Sequence, residues 1–243
     1  MEIRLLLLNF QQGAFCKNNY DYFLIPFRMF PSIFYEHSLK AIDLLSKYLI
    51  KQNIDIAFFT ELDGESTRTI FKQQLERISE SSNINNKIFF PTYKFGRYID
   101  QGNGILSKFK IISSEHIKLP GNGQARFLSG MNLKIKNKTI KAFITHLSLS
   151  RSDRKKQIDF IANHLQKEKY PIILSGDFNT ESIDELMPLN FLTDINKYKT
   201  YPSWNPKKAY DHIFMSKHFK LKYISPANEL FSDHVGLELE LKI

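Results

Sequence analysis

One cysteine and one tryptophan occur in 243 residues. A lone thiol, Cys16, cannot close an internal disulfide, so the chain carries no disulfide framework. That fits a reducing compartment, and the expected location is the cytoplasm, with specialised secretion as the alternative. Cys16 reads as a small buried hydrophobe and not as a catalytic thiol. No apolar run approaches the roughly 18 residues a membrane-spanning helix requires. The opening MEIRLLLLNF sets Arg4 before four leucines. That run is too short for a secretory signal, and no small-residue cleavage site follows it. A phosphate-binding P-loop, a zinc CxxC pair, a G-x-S-x-G elbow and a dinucleotide fingerprint are all missing. So are internal repeats, low-complexity runs and linkers. The simplest organisation is one domain over 1–243. Acidic residues are the scarcer charge, 25 against 34 basic ones, which leaves a net charge of +9. A basic chain favours anionic partners: nucleic acid, phospholipid surfaces or phosphorylated metabolites. The lysines are scattered, as in LKIKNKTIK (133–141), so a solvated basic surface is the plainer reading.

Against these absences stands a series of short polar islands, each at an end of an apolar run. They are Asn9 in LLLLNFQ, Glu61 in IDIAFFTELD and His146 in IKAFITHLS. Asp177 and Asn179 follow in PIILSGDFNT, Asp211 in AYDHIFMS, and Asp233 with His234 in FSDHVGLEL. Apolar runs of this length read as buried strands. A carboxylate, amide or imidazole at a strand tip has no packing role there. Six such tips imply one shared polar pocket, with carboxylates and amides for a hard cation and histidines for phosphate chemistry. Taken singly each has a plain structural reading: GDFN suits a turn, and a histidine after a strand is commonly structural. The weight lies in the ordered series.

The remaining pattern is mixed. Strands are expected over 2–9, 54–60 and 171–177. Helices are expected over 36–52, 67–80 and 152–168, with Ser152 as N-cap. In the second of these helices Ile70, Phe71, Leu75 and Ile78 would share one face. Short strands with Gly-containing turns fill 87–144, with a hairpin at the NKT turn. A short helix is expected at ESIDELM (181–187), then strands at 211–216, about 219–224 and 235–242. Strands and helices alternate early and consecutive strands fill the middle. The fold class is therefore α/β, with two packed mixed sheets and helices outside. Segment 20–35 (YDYFLIPFRMFPSIFY) is dense in aromatics and broken by Pro26 and Pro31. It reads first as a packed connection and second as a lid or membrane contact.

The ordered series N…E…H…GDxN…DH…SDH resembles the endonuclease/exonuclease/phosphatase superfamily, the deoxyribonuclease-I-like metal phosphoesterases. The resemblance runs from about Ile3 to about Leu241 and is most specific at SGDFN (175–179) and SDH (232–234). It implies the four-layer α/β/β/α sandwich. It also implies a Mg²⁺ or Mn²⁺ cofactor and hydrolysis by direct attack of water on phosphorus. Glu61 and Asn9 would open the metal site, joined by Asp233. Asp177 would be the general base and Asn179 a donor to the phosphoryl group, while Phe178 points into the core. His146 and His234 would touch the scissile phosphate, as histidinium groups able to protonate the leaving oxygen, and Asp211 would orient one of them. His212 would face away from Asp211. Some nucleases of the superfamily carry Asp two residues after the first Asn; Gln11 stands here, which leaves one anionic group fewer. Arg151 is a candidate phosphate clamp, and Tyr201 with Trp204 are candidates for stacking at the rim. The expected substrate is a small-molecule or lipid phosphate ester. DNA or RNA is the alternative, and a non-catalytic binding module or secreted effector stands behind both.

Overall fold

The computed structural model describes residues 1–16, 18–24 and 31–243. Its strands are β1 (Glu2–Asn9), β2 (Ile56–Asp63), β3 (Asn86–Phe95), β4 (Ile99–Ser107), β5 (Lys110–Lys118) and β6 (Phe127–Ile135). They continue with β7 (Lys138–His146), β8 (Ile172–Asp177), β9 (Thr193–Asp194), β10 (Asp211–Met215), β11 (Lys220–Pro226) and β12 (Leu237–Lys242). The helices are α1 (Asn19–Phe23), α2 (Pro31–Lys51), α3 (Gln74–Ser82), α4 (Arg151–Leu165) and α5 (Ile183–Leu186). Two six-stranded sheets form, in the orders β11-β12-β1-β2-β4-β3 and β5-β6-β7-β8-β10-β9. Both are mixed: β1 and β2 run parallel, as do β7 and β8, and most other neighbours are antiparallel.

The leucine run of β1 shows why the layers number four. Alternate side chains of a strand face opposite ways. Leu5 and Leu7 enter the core between the sheets, with Ile56 and Phe58 of β2 and Ile144, Ile173 and Ile213 of the second sheet. Leu6 and Leu8 face outward and are covered by Ala41, Ile42, Leu45 and Leu49 of α2 and by Ile78 of α3. On the other outer face α4 lays Ile158, Ile161 and Leu165 over Phe143 and Leu174. An apolar run with no alternation is what a strand buried on both faces requires. The sandwich is thus helix, sheet, sheet, helix.

Two expectations are corrected. The helix expected over 67–80 is broken. Ser66 caps a short 3₁₀ turn at Thr67–Thr69, and Ile70 and Phe71 then take left-handed φ values of 52° and 55°. Those two side chains are 57% and 55% exposed and not part of a buried face, while Leu75 and Ile78 are buried as expected. A helical spacing of apolar residues cannot reveal two consecutive left-handed residues. The N-cap of α4 is Ser150, so Ser152 lies in its first turn. Segment 20–35 divides: Tyr20 and Phe23 are exposed, Phe34 is buried beneath the Arg68 guanidinium, and residues 25–30 lie outside those described. No helix among the described residues is long and apolar enough to cross a membrane.

Candidate active site

The topology carries every polar island to one end of the sandwich. Asn9, Glu61, His146 and Asp177 sit at or near the C-terminal ends of β1, β2, β7 and β8. Asp211 opens β10, which runs antiparallel to β8 and pairs Asp211 opposite Asp177. Asp233 and His234 precede β12, the antiparallel neighbour of β1. Each sheet therefore supplies half of the site, and the halves meet over the open end of the shared core.

Local backbone devices aim the side chains. The β2–β4 register slips between Phe59 and Leu62, and Glu61, in that bulge, has φ 55°. A bulge re-aims a strand side chain, and here it turns the Glu61 carboxylate into the cleft. Gly176 has φ 155°, and a Cβ there would lie 1.9 Å from the Thr145 carbonyl oxygen. Only glycine lets β8 pass that close to β7, which explains the glycine before Asp177. The Asp177 carboxylate accepts the Asn179 backbone N–H (2.9 Å) in a tight turn, with Asn179 at φ 52°. Phe178 points into the core, as the alternation predicted. In SDH, the Ser232 hydroxyl donates to the Asn9 carbonyl and accepts the His234 N–H at 3.1 Å. That serine fastens the 232–234 turn to the end of β1.

Asn9 ties the two sheets together. Its Nδ2 donates to Glu61 Oε1 and to Asp177 Oδ2, both at 3.1 Å, and its Oδ1 accepts the Gln11 N–H at 3.0 Å. Two imidazoles flank Asp177: His146 Nε2 lies 3.7 Å and His234 Nε2 3.8 Å from Asp177 Oδ2. His146 Nε2 is also 3.8 Å from Glu61 Oε1. His234 Nδ1 donates to Asp211 Oδ2 at 2.7 Å.

The electrostatics separate these groups. Burial, and then the neighbouring Asp211 charge, push the Asp177 carboxyl up to about 7, partly offset by His234. Burial alone would lower the His234 pKa, but Asp211, Asp177 and Asp233 raise it well above the usual histidine value, so the ring is charged at neutral pH. His146 is pushed well below that value by burial, Arg126 and His234. It is a neutral hydrogen-bond donor and not the histidinium expected from the sequence.

Arg126 is the residue that the sequence reading missed. It lines the cleft with Glu61 and His146, and its buried Nε has no hydrogen-bond partner. Burial lowers its pKa, while the charges of Glu61 and Asp177 act to raise it. The other expected residues divide. Asn179 lines the cleft and donates its side-chain amide to the Leu147 carbonyl at 3.0 Å. Tyr201 lines it too, its ring 4.9 Å from that of His234 and stacked on Tyr210. Asp233 lines the same cleft, because the chain bends there before β12 begins. Arg151 does not: its exposed guanidinium pairs with Glu185 at 3.2 Å beside a different cavity. Trp204 donates its indole N–H to Asn19 at 3.0 Å and is not among the cleft residues. His212 faces away and braces Asp194 at 2.7 Å and the Thr180 carbonyl at 2.9 Å.

The donor set fits a hard divalent cation. Among the described residues of the cleft, the carboxylates of Glu61, Asp177 and Asp233 stand with three cationic groups, Arg126, protonated His234 and Arg68, and Arg68 is paired with the buried Asp63 at 2.6 Å. Carboxylate and amide oxygens without thiolates suit Mg²⁺ or Mn²⁺. Asp177, Asp211 and His234 offer ligand atoms within 4.8 Å of one another. A protonated imidazole bonded to Asp211 cannot ligate, so that trio is an ion-pair network. Glu61, bonded to Asn9, and Asp233 are further carboxylates of the same cleft.

A model of the Endonuclease/Exonuclease/phosphatase family matches residues 35–234. No curated protein matches the chain. Among solved structures, an endonuclease/exonuclease/phosphatase family protein from Bacteroides thetaiotaomicron superimposes with TM-score 0.76 at 16% identity, covering 99% of this chain and 97% of that one. The mannosyl-6-phosphatase of Bacteroides thetaiotaomicron VPI-5482 gives TM-score 0.74 at 15% identity, covering 99% of this chain and 100% of that one. D. rerio TDP2 complexed with single strand DNA product gives 0.72 at 15%, covering 100% and 99%. At such identities the likeness is one of fold.

Proposed function

The chain belongs to the endonuclease/exonuclease/phosphatase family, and from that premise we propose a Mg²⁺- or Mn²⁺-dependent phosphoesterase for small-molecule or lipid phosphate esters, one catalytic domain over 1–243. The observation that carries this reading is Asp177, buried between two imidazoles of opposite charge state and tied through Asn9 to Glu61.

Each residue has a task that its surroundings suit. Asp177, held near 7, accepts a proton from the attacking water. Asn9 fixes that carboxylate by donating to it. Neutral His146 donates one hydrogen bond to a phosphoryl oxygen, and Arg126 and Asn179 add further donors as charge develops. Charged His234, oriented by Asp211, protonates the leaving oxygen, as the carboxylate-supported imidazolium does in other His–Asp pairs. A divalent cation held by Glu61 and Asp233 would draw charge from the phosphoryl oxygens and lower the pKa of bound water. Tyr201 and Tyr210 offer an aromatic wall for the remainder of the ester. The likeness to a mannosyl-6-phosphatase supports a small substrate.

Cleavage of nucleic acid is the second reading, favoured by the net charge of +9 and the TDP2–DNA neighbour. The test is hydrolysis of aryl, sugar, inositol and lipid phosphates, DNA and RNA, with Mg²⁺ and with EDTA. Metal-dependent turnover of one class supports the proposal. Turnover confined to DNA or RNA, with affinity falling steeply as salt rises, selects the second reading. Turnover that is unaffected by EDTA sinks the metal-dependent mechanism.

A further inference from the structure

Beside the catalytic floor opens a smaller cavity of about 140 Å³. It shares Gln12, Glu61, Gln101, Arg126 and His146 with the cleft, and its other walls are Thr92, Asn103 and Gln124, with the bare backbone of Gly102. We propose that this cavity is a subsite for a neutral polyhydroxyl group, so that the substrate is the phosphate monoester of a sugar or cyclic polyol. The proposal rests on the phosphoesterase reading above and narrows it.

Four carboxamides and a hydroxyl converge on the cavity, and a donor buried there without a partner is costly unless something polar fills it. Asn103 is 2% exposed, and its Nδ2 has no hydrogen-bond partner. Arg126 Nε, on the same cavity, also lacks one. Some of the other amide groups are already engaged. Gln12 Oε1 accepts from Arg68 at 2.7 Å, and Gln124 approaches Gln101 only at 3.5 Å. Gln101 and Asn103 are two apart on β4 and so present the same face. Between them Gly102 cannot carry a side chain, because a Cβ would lie 2.5 Å from the Phe89 ring and from the Phe90 carbonyl oxygen. The glycine thus serves close packing on the opposite face, and the two amides are neighbouring side chains on the face toward the cavity.

Chemistry selects the occupant. A hydroxyl both donates and accepts, and so does a carboxamide, so vicinal hydroxyls match a wall of amides without net charge. A nucleobase presents two apolar faces and is normally held by stacking on aromatic rings; among the described residues His146 is the only ring on this cavity. A quaternary ammonium headgroup requires an aromatic cage, which is equally missing. Apart from Arg126, the described residues of the cavity offer no cationic side chain to a second phosphate. Its size suits one six-membered ring, since a cavity of about 150 Å³ holds benzene.

Two measurements on the full chain test this. The first is saturation-transfer NMR of free mannose, glucose and myo-inositol with the metal-free protein. Transfer to at least one polyol is expected, lost in Gln101→Ala and in Asn103→Ala. The second is the ratio of kcat/KM for a polyol phosphate to that for p-nitrophenyl phosphate. It is expected to fall about tenfold in each variant, the scale of one lost hydrogen bond. Gln124→Ala, at an exposed position, gives the same readout if buried Asn103→Ala fails to fold. A hexose signal or an inositol signal identifies which polyol is the source. Turnover of the aryl ester with no polyol transfer and an unchanged ratio overturns the subsite and leaves the phosphoesterase reading standing. No turnover of any ester overturns the phosphoesterase reading, and with it the substrate assignment. Preference for nucleoside monophosphates over sugar phosphates replaces the polyol with a base.

Discussion

The two walls of the cleft hold one histidine each, at nearly equal distance from the same Asp177 oxygen, and treat them in opposite ways. On the wall built by β10 and the turn before β12, His234 is bonded to Asp211 and surrounded by carboxylates, and it carries a proton. On the wall built by β6 and β7, His146 is buried beside the Arg126 guanidinium and carries none. Distance to the shared carboxylate is therefore not what assigns a role. The second neighbour of each ring does so, carboxylate on one side and guanidinium on the other. One wall is equipped to give a proton, and the other only to donate a hydrogen bond.

The comparison can be broken most severely at its centre. Asp177→Asn removes the group that both rings face. It should lower kcat by about 10³-fold or more while circular dichroism stays native, since positioned general bases contribute roughly 10²–10⁴. Turnover close to that of the parent protein would remove Asp177 from the base role. The two walls are separated by giving them the same substitution. A neutral amide can replace a neutral donor but not a charged acid. His234→Gln should therefore cost about 10²–10³ in kcat, and His146→Gln about tenfold less, on the scale known for single transition-state donors. Equal losses would mean that both rings work in one protonation state. Asp211→Asn removes the leading cause of the raised His234 pKa. Activity that rises as Asp177 deprotonates and falls as His234 loses its proton should then have its alkaline limb moved to lower pH, read from kcat/KM profiles. Glu61→Ala should raise the Mg²⁺ concentration that supports half-maximal rate by about tenfold or more, the scale of a lost ligand or its support. An unchanged metal titration would take Glu61 out of the metal site.

The smallest effect is expected away from the cleft. His212 directs Nδ1 at Asp194 and Nε2 at the Thr180 and Ala209 carbonyls, so both nitrogens must donate and the ring is held charged. Burial would lower its pKa, but Asp194 and Thr180 raise it above the ordinary 6.5. Its contribution is fully present below about pH 6.5, the unfolded value, and is lost as pH rises through the folded value. His212→Gln should cost about 1.5–3 kcal/mol at pH 6, the range for hydrogen bonds to charged groups, and progressively less above it, as read by urea titration.

Much of this was legible because the chemistry sits on strands buried on both faces. Asn9, Glu61, His146 and Asp177 each stand at the end of a largely apolar run, so a polar residue stands out in the sequence as it does in the fold. Arg126 and Asn103 were not legible for the converse reason. Arg126 follows the loop GNGQA, where one more cation looks like solvated surface. Asn103 lies in DQGNG, whose composition signals a turn, yet the segment is part of β4 and its glycines serve close packing. Arg151 and Trp204 were placed near the site by their distance along the chain from THL and DHIF. Arg151 instead starts α4, and the Trp204 indole is turned toward Asn19. Protonation was beyond reach as well. Nothing in the neighbours of His146 in sequence announces that Arg126, just before β6, lies beside it.

The pairing of β1 with β12 has a consequence in time. Asn9 is synthesised well before the turn and strand that complete its surroundings, Ser232 to Lys242. Contacts so distant along the chain form late, because the long loop must close before they repay its entropy. During refolding from urea, secondary structure should return first and turnover only when the two sheets dock. Prematurely terminated chains lacking β12 have no assembled cleft. Such a chain would lack the strand that flanks β1, and with it the support of Asn9.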